Sequence, residues 1–168
     1  EVQGHLDKAR SQTRGPDAYL ELIAGETALA QGKLPIAEKA FAAALAAGGG
    51  ARAQWGLARV VIEAKGDEKA QLDAVTETLK SSPLHVEGRI AEARIQWARG
   101  DEQRALANLR IALGLEPTEE DQRLWPAKSA LATGYGVLGY VHETRGRLHQ
   151  ARAAYDQALA ADAYRVEA

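Results

Sequence analysis

Residues Gly100 to Pro117 read GDEQRALANLRIALGLEP. The stretch opens with a Gly-Asp turn signal and closes with a proline, and between them its apolar residues recur at helical spacing. Intervals of four, three and one residues place on a single stripe Ala105, Leu109, Ala112 and Leu113. Because such a stripe has to be buried, we expect a helix here that packs against neighbouring helices.

The same turn signal recurs along the chain at a fixed period. Its copies are Gly32-Lys33, Gly66-Asp67, Gly100-Asp101 and Gly146-Arg147. The first three copies are evenly spaced. The last gap is longer than the others by 12 residues, which indicates an insertion of that length. A period of about 34 residues with helical patterning is typical of an array of helix-turn-helix repeats.

The helices that flank these turns carry residues of matching size at matching places. We call a position that recurs in every repeat a slot. The second helix of each repeat has a small slot with Ala37, Gln71, Ala105 and Ala151, and a large slot with Phe41, Val75, Leu109 and Tyr155. A further small slot of the same helix has Ala44, Thr78, Ala112 and Ala158. In the first helix, a small slot holds Gly25, Arg59, Ala93 and Gly139. This pattern resembles tetratricopeptide repeats over most of residues 18–163. The resemblance implies an all-α fold, a right-handed superhelical solenoid of about four such repeats.

The turn signals and slots set the expected boundaries. The predicted repeats cover residues 18–50, 52–83, 86–117 and 132–163, with an insertion over residues 118–131. Asp17 is expected to cap a first helix that ends near Gln31, and the next helix is expected from Leu34 to about Ala47. Residues 1–16 are interpreted as the remnant of a preceding helix or as an N-terminal cap, and residues 164–168 as the start of a following helix or a tail.

The second repeat places polar residues in slots that normally hold small ones. These residues are Arg59, Gln71 and Thr78. Because a buried arginine without partners is costly, Arg59 is expected to extend towards solvent, or to pair with Glu63 one turn on or with Gln71 across the seam. Two interpretations remain open, namely a loose and partly hydrated seam, or a polar network that fixes a bend or a ligand site.

Composition excludes several classes of protein. The formal net charge is −2, which argues against a general nucleic-acid binder, and no stretch approaches the roughly 20 apolar residues that span a bilayer. The absence of cysteine excludes disulfides and thiolate metal sites.

No motif indicates a catalytic, cofactor or metal site. Residues 134–139 satisfy the GxGxxG pattern, but no strand precedes them, and the repeat register puts Gly139 in the helix-packing slot. The four histidines have no metal-ligand spacing, and the consecutive acidic residues 119–121 point around a helix instead of converging on one point. We therefore predict no cofactor, no metal and no enzymatic activity.

The family resemblance implies a concave face lined by the first helix of each repeat. The corresponding positions here are Tyr19, Leu22, Glu26, Leu29, Ala53, Val60, Glu63, Glu87, Ile90, Arg94, Trp97, Thr133, Gly136, Tyr140 and Glu143. Tyr19, Trp97 and Tyr140 could serve as aromatic anchors, with Arg94 as a forked donor for a carboxylate or carbonyl. For Trp97 the alternative is that it fills space between helices, and core packing is the expectation for Trp55 and Trp125.

The resemblance implies a non-enzymatic adaptor that holds a peptide or protein surface in its groove. The groove positions lack the lysine, arginine and asparagine set with which chaperone-binding tetratricopeptide domains hold a terminal carboxylate. The alanine- and arginine-rich texture is similar to that of bacterial tetratricopeptide lipoproteins associated with exopolysaccharide export, which leaves periplasm, cell envelope and cytoplasm open. The alternatives are a structural spacer that self-associates through open ends of the array, and a regulatory domain fused to an enzyme.

Overall fold

A computed structural model of the protein describes residues 4–5, 17–115 and 128–162. Over these residues the chain contains helices and turns and no strand. Some expectations concern residues outside this described part of the chain. They are those for the rest of residues 1–16, for most of the insertion over residues 118–131, for Trp125 and for the tail at residues 164–168.

Eight helices of the described residues form four hairpins, two in each of two compact units, residues 1–83 and residues 84–168. The first unit contains α1 (Ala18–Ala30), α2 (Leu34–Ala46), α3 (Gly50–Glu63) and α4 (Glu68–Ser81). The second contains α5 (Val86–Ala98), α6 (Glu102–Ala112), α7 (Lys128–Thr144) and α8 (Leu148–Asp162). The predicted starts of α1 and α2 are confirmed, and both helices end within one residue of the prediction.

Side chains at the helix starts satisfy backbone N–H groups that have no partner inside the helix. Asp17 accepts hydrogen bonds from the backbone nitrogens of Tyr19 and Leu20 at the start of α1. Asp67 and Asp101 act in the same way before α4 and α6. The aspartates of the Gly-Asp signals are therefore helix caps.

The turns inside three hairpins close with a glycine in the left-handed region, where a side chain would be strained. The φ angles are 69° at Gly32, 82° at Gly100 and 69° at Gly146. The second hairpin differs, because α3 ends one residue earlier relative to Gly66 and the left-handed residue is Lys65, with φ at 52°. The first three turn signals are therefore evenly spaced in sequence, but the left-handed residue of the second turn lies one position earlier.

The core of the first unit is built around Phe41, which is fully buried. Its ring lies against Gly25 of α1 and Gly56 of α3, so that a Cβ atom added at either glycine would come within 2.6 Å of a ring carbon. The other buried members of the same cluster are Ala28, Leu29, Ala37 and Val60. The Phe41 ring of α2 thus fits between α1 and α3, and only glycine at positions 25 and 56 leaves room for it.

The second unit has a larger core to which α5, α6, α7 and α8 all contribute. Its buried members are Ile90, Ala93, Ala105, Leu109, Ala112, Leu113, Ala130, Leu138, Val141 and Ala154. The glycines of the GxGxxG pattern lie inside α7, where Gly134 faces Leu113 and Gly139 faces the ring of Tyr155. Gly139 is therefore a helix-packing residue, as the repeat register predicts.

The polar seam of the second repeat differs from both expected pairings. Arg59 Nη1 donates to Glu26 of α1 and pairs with neither Glu63 nor Gln71. Gln71 donates through Nε2 to the carbonyl oxygen of Gly66 at 2.6 Å, and the buried Thr78 donates to the carbonyl oxygen of Ala74. Each of the three polar side chains thus has a partner of its own, and the three do not form one network.

Candidate functional site

The second unit contains an open groove between α5 and α7 with a volume of about 810 Å³. Its lining combines aromatic, small and cationic side chains, and no aspartate or glutamate of residues 17–115 and 128–162 belongs to it. The lining residues are Arg94, Trp97, Ala98, Ala132, Thr133, Gly136, Val137, Tyr140, Thr144 and Arg145. The sequence-predicted positions Arg94, Trp97, Thr133, Gly136 and Tyr140 are therefore brought together here.

Trp97 serves both the core and the groove. Its half-buried ring packs against the core cluster of the second unit and also forms part of the groove wall. The guanidinium of Arg145 lies over the indole, 4.9 Å from the ring centroid, in a cation–π arrangement. Trp97 thus fills space between helices and also lines the groove, so the two alternatives are not exclusive.

A carboxylate of α6 fixes the position of Arg145. The Nε atom of Arg145 lies 2.9 Å from Oε2 of Glu102, and Arg147 binds Oε1 of the same carboxylate. Because a single carboxylate faces two guanidinium groups, this cluster carries one positive charge in excess. The excess charge lies beside the groove, and Glu102 itself does not line it.

Arg94 and Tyr140 reach into solvent from opposite walls of the groove. Tyr140 is 53% exposed, and the side chain of Arg94 is also exposed. In the part of the chain that the structure describes, Arg94 has no ion pair or hydrogen bond through its guanidinium. Its five N–H donors are therefore available to an acceptor from outside.

Glu143, another predicted groove residue, is engaged by α8. Its Oε2 atom accepts a hydrogen bond of 2.6 Å from the Tyr155 hydroxyl. This bond raises the pKa of Tyr155 to about 12, with further contributions from burial and from the charge of Glu143. The carboxylate therefore helps to hold α7 against α8 and does not belong to the groove lining.

The other predicted positions do not converge on this groove. Leu29 and Val60 are buried in the core of the first unit, and Ile90 is buried in that of the second, so these three are core residues and offer no surface. At these three positions the predicted groove face of the helix overlaps its buried stripe, so the side chains pack into the core instead of lining a groove. Tyr19, Leu22, Glu26 and Glu63 lie in the first unit, and Glu87 is exposed near the start of α5.

Sequence reasoning missed Arg145. It immediately precedes the turn glycine Gly146, and Arg99 holds the same place before Gly100. Arg99 does not line the groove, so the position alone carries no signal. The contact with Trp97 depends on the packing of α7 against α5, which only the structure reveals.

Metal-ligand clusters and membrane-spanning helices are both absent from residues 4–5, 17–115 and 128–162. This part of the chain has no group of three or more histidine, aspartate or glutamate side chains placed to hold a metal ion. None of its helices combines the length and the apolar character needed to cross a membrane.

Residues 24–83, which cover most of α1 and the whole of α2, α3 and α4, match the tetratricopeptide repeat family. This part of the chain is therefore similar to tetratricopeptide repeats. The resemblance that the sequence predicts is thereby confirmed.

The fold of the chain is similar to that of MamA, for which several solved structures match. One crystal structure of MamA superposes with a TM-score of 0.64 at 14% identity, covering 99% of this chain and 94% of the other. A second has a TM-score of 0.60 at 14% identity, with 99% and 87% covered, and a third has 0.55 at 15% identity, with 88% and 78% covered. No curated protein matches the sequence.

These likenesses confirm the predicted fold class, an all-α array of tetratricopeptide-like helix-turn-helix repeats. Tetratricopeptide repeats and folds of this kind are typical of protein–protein interaction scaffolds. At 14% to 15% identity the MamA structures inform the fold alone.

Proposed function

We propose that this protein is a non-enzymatic scaffold that binds a peptide or protein surface in the groove between α5 and α7. The observation that carries the proposal is the exposure of Arg94 and Tyr140 beside the Trp97 ring on the walls of one open groove. Tryptophan, tyrosine and arginine dominate the binding energy of protein interfaces, because each combines a large contact area with a polar group. The similarity of residues 24–83 to tetratricopeptide repeats supports the same class of function.

The groove suits a peptide better than a small compact ligand. Its volume of about 810 Å³ would hold a few side chains, and it opens to the surface instead of enclosing its occupant. Its walls are helices whose positions are fixed by the core of the second unit, so little order has to be gained on binding.

The proposal includes a place in a larger bacterial assembly or export system. The support for this part is the alanine- and arginine-rich texture of the chain with its short glycine turns. A partner recovered with the groove intact would identify the assembly directly.

A second candidate, a self-associating spacer, is favoured by two leucines of α8. Leu148 and Leu159 are 67% and 68% exposed, and their separation of eleven residues puts them on one face of the helix. Exposed leucines on one face can pair with a second copy of the chain.

The two candidates can be separated by one set of variants. Lysate of the source organism would be passed over the parent protein, over Arg94→Ala with Tyr140→Ala, and over Leu148→Ala with Leu159→Ala. Trp97 is retained in all of them because it supports the core. Circular dichroism spectra that match that of the parent would show that each variant is folded.

A protein retained by the parent and the leucine variant, but lost by the groove variant, supports the scaffold and names its partner. Equal retention by all three proteins would contradict binding in the groove. Concentration-dependent sedimentation of the parent that is abolished in the leucine variant would favour the spacer instead.

A further inference from the structure

We infer that the groove selects an acidic segment of its partner, with a carboxylate bound by Arg94 and a large apolar side chain seated against Trp97 and Tyr140. This inference rests on the proposed function and specifies the chemistry of the occupant. It follows from the charges at the groove, from the donors that remain unused and from the aromatic wall.

The charged side chains described in the groove wall are all cationic. Among the described residues, Arg94 and Arg145 are the charged residues of the groove wall, and no carboxylate lines it. Glu102 offsets only one of the two guanidinium groups of Arg145 and Arg147, so that cluster keeps one positive charge. Arg94 has no carboxylate partner among the described residues and adds a second. A basic segment would meet like charges here, whereas an acidic segment would be attracted.

The hydrogen-bonding groups of the groove point to the same occupant. The hydroxyls of Thr133 and Thr144 donate to carbonyl oxygens of their own helix, those of Ser129 and Tyr140, and are not available as donors. The strongest unused donor is the guanidinium of Arg94, whose forked N–H groups match the two oxygens of a carboxylate. A partner that brings a carboxylate therefore satisfies a group that is otherwise left to water.

The apolar part of the groove sets the second requirement. Trp97 lies one turn after Arg94 on α5, and Tyr140 and Val137 provide the facing wall on α7. An aromatic or long aliphatic side chain close to the acidic residue would cover these surfaces while its carboxylate reaches Arg94. The recognition unit is thus an acidic residue next to a large apolar one.

The charge of the whole chain argues against the other polyanions. With a formal net charge of −2 and an isoelectric point near 6.1, the protein has no net positive charge to attract nucleic acids or anionic bilayers. Two local positive charges are sufficient for a short acidic segment, which makes few ionic contacts.

The test uses a library of random peptides displayed on phage, selected on the full chain. The baits are the parent, Arg94→Gln, Tyr140→Ala and the matched control Arg152→Gln. Arg152 belongs to the same unit and its side chain is 85% exposed, so its substitution removes the same charge away from the groove. Selected peptides are then synthesised with a fluorescein label and measured by fluorescence anisotropy at low and high salt.

The expected result is enrichment of aspartate or glutamate beside an aromatic or aliphatic residue. Arg94→Gln should weaken the binding of a selected peptide by about tenfold, the loss expected for a hydrogen bond to a charged group. Replacing the acidic residue of the peptide by its amide should weaken binding to the parent by a similar factor and leave binding to Arg94→Gln nearly unchanged. Arg152→Gln should bind as the parent does.

The contrary results separate the two proposals. Selected peptides without an excess of acidic residues, lost by Tyr140→Ala but retained by Arg94→Gln, would overturn the inference and leave the proposed groove standing. Peptide binding that neither substitution affects, or a selection that enriches nothing, would overturn both. A fluorescein-labelled single-stranded oligonucleotide bound as tightly, with the same dependence on Arg94, would show a general anion site and overturn the assignment to an acidic segment.

Discussion

Arg59 of α3 donates through its Nη1 atom to both carboxylate oxygens of Glu26 in α1, at 2.9 and 2.7 Å. The pair joins the first helices of two consecutive hairpins and lies at the polar seam of the second repeat. Both side chains remain in contact with water, with exposed fractions of 33% for Arg59 and 49% for Glu26. The seam therefore places the guanidinium of Arg59 at the surface beside a carboxylate.

The exposure of this pair limits its contribution to stability. We expect Arg59→Ala to lower the free energy of unfolding by no more than about 1 kcal/mol, since exposed ion pairs contribute roughly 0.2 to 1 kcal/mol. A double-mutant cycle with Glu26→Ala, measured by urea denaturation, should give a coupling energy in that range that decreases in high salt.

The control for this cycle is Gln71→Ala. Because Gln71 bonds to the carbonyl of Gly66 and not to Arg59, its coupling with Arg59→Ala should be close to zero. A coupling of several kcal/mol in either cycle would instead indicate a buried network that unites the seam.

Replacing each of two helical glycines by alanine should change the free energy of unfolding in opposite directions. At Gly56 the new Cβ atom would lie 2.3 Å from the Cδ1 atom of the fully buried Phe41, which has no room to move away. We expect Gly56→Ala to lower the free energy of unfolding by about 1 to 3 kcal/mol, the range for an overpacked core. At Gly136 a Cβ atom meets nothing within 4 Å, and alanine should raise the free energy of unfolding by about 0.5 to 1 kcal/mol because it restricts the unfolded chain.

Urea denaturation of both variants measures these changes. Combining Gly56→Ala with Phe41→Leu should cost less than the sum of the two single substitutions, because the smaller side chain leaves space for the new methyl group. Full additivity would show that Phe41 is not the obstacle.

Lys65 occupies a left-handed conformation that glycine holds in the other three hairpin turns. For a residue with a Cβ atom this conformation costs roughly 1 kcal/mol or more relative to glycine. We therefore expect Lys65→Gly to raise the free energy of unfolding by about 0.5 to 1 kcal/mol, after the greater chain entropy of glycine is subtracted. The reciprocal change, Gly32→Ala, should be destabilising in the same urea titration, and a destabilised Lys65→Gly would show that the lysine side chain makes a compensating contact.

The sequence was sufficient to predict the elements that depend on local chemistry. Asp17 before α1, Pro35 in the first turn of α2 and the small residues of the second helices are local signals, and the structure places them as predicted. A second helix has to present the same small and large side chains to each neighbouring hairpin, which is why the repeat period is visible in the sequence.

What the sequence could not predict depends on distances between helices. Glu26 lies 33 residues before Arg59 on another helix, and neither the one-turn spacing to Glu63 nor the seam position of Gln71 indicates it. Arg145 meets Trp97 only because α7 packs against α5. The shift of the second turn to Lys65 follows from an early end of α3, for which no residue provides a clear signal.

His85 should make the stability of α5 depend on pH. Its Nδ1 atom caps the helix by accepting a hydrogen bond of 3.1 Å from the backbone nitrogen of Gly88, which requires the neutral imidazole. Burial lowers the pKa of His85 below its ordinary value of 6.5, and the nearby charge of Glu87 opposes this shift without reversing it. Because the folded state binds this proton less readily than the unfolded state, the contribution is complete above pH 6.5 or so and is lost as the pH falls through the lower folded value.

His85→Asn isolates that contribution, since asparagine caps a helix at any of these pH values. The free energy of unfolding of the parent should fall relative to that of the variant by up to about 1 kcal/mol between roughly pH 7.5 and pH 5. Burial also lowers the pKa of His142, but His142 is present in both proteins and cancels in the difference. Urea denaturation across this range gives the two curves, and the histidine signal that disappears from the NMR spectrum of His85→Asn gives the pKa of His85 directly. A value above the ordinary one would mean that Glu87 prevails over burial, and the parent would then gain stability over the variant as the pH falls.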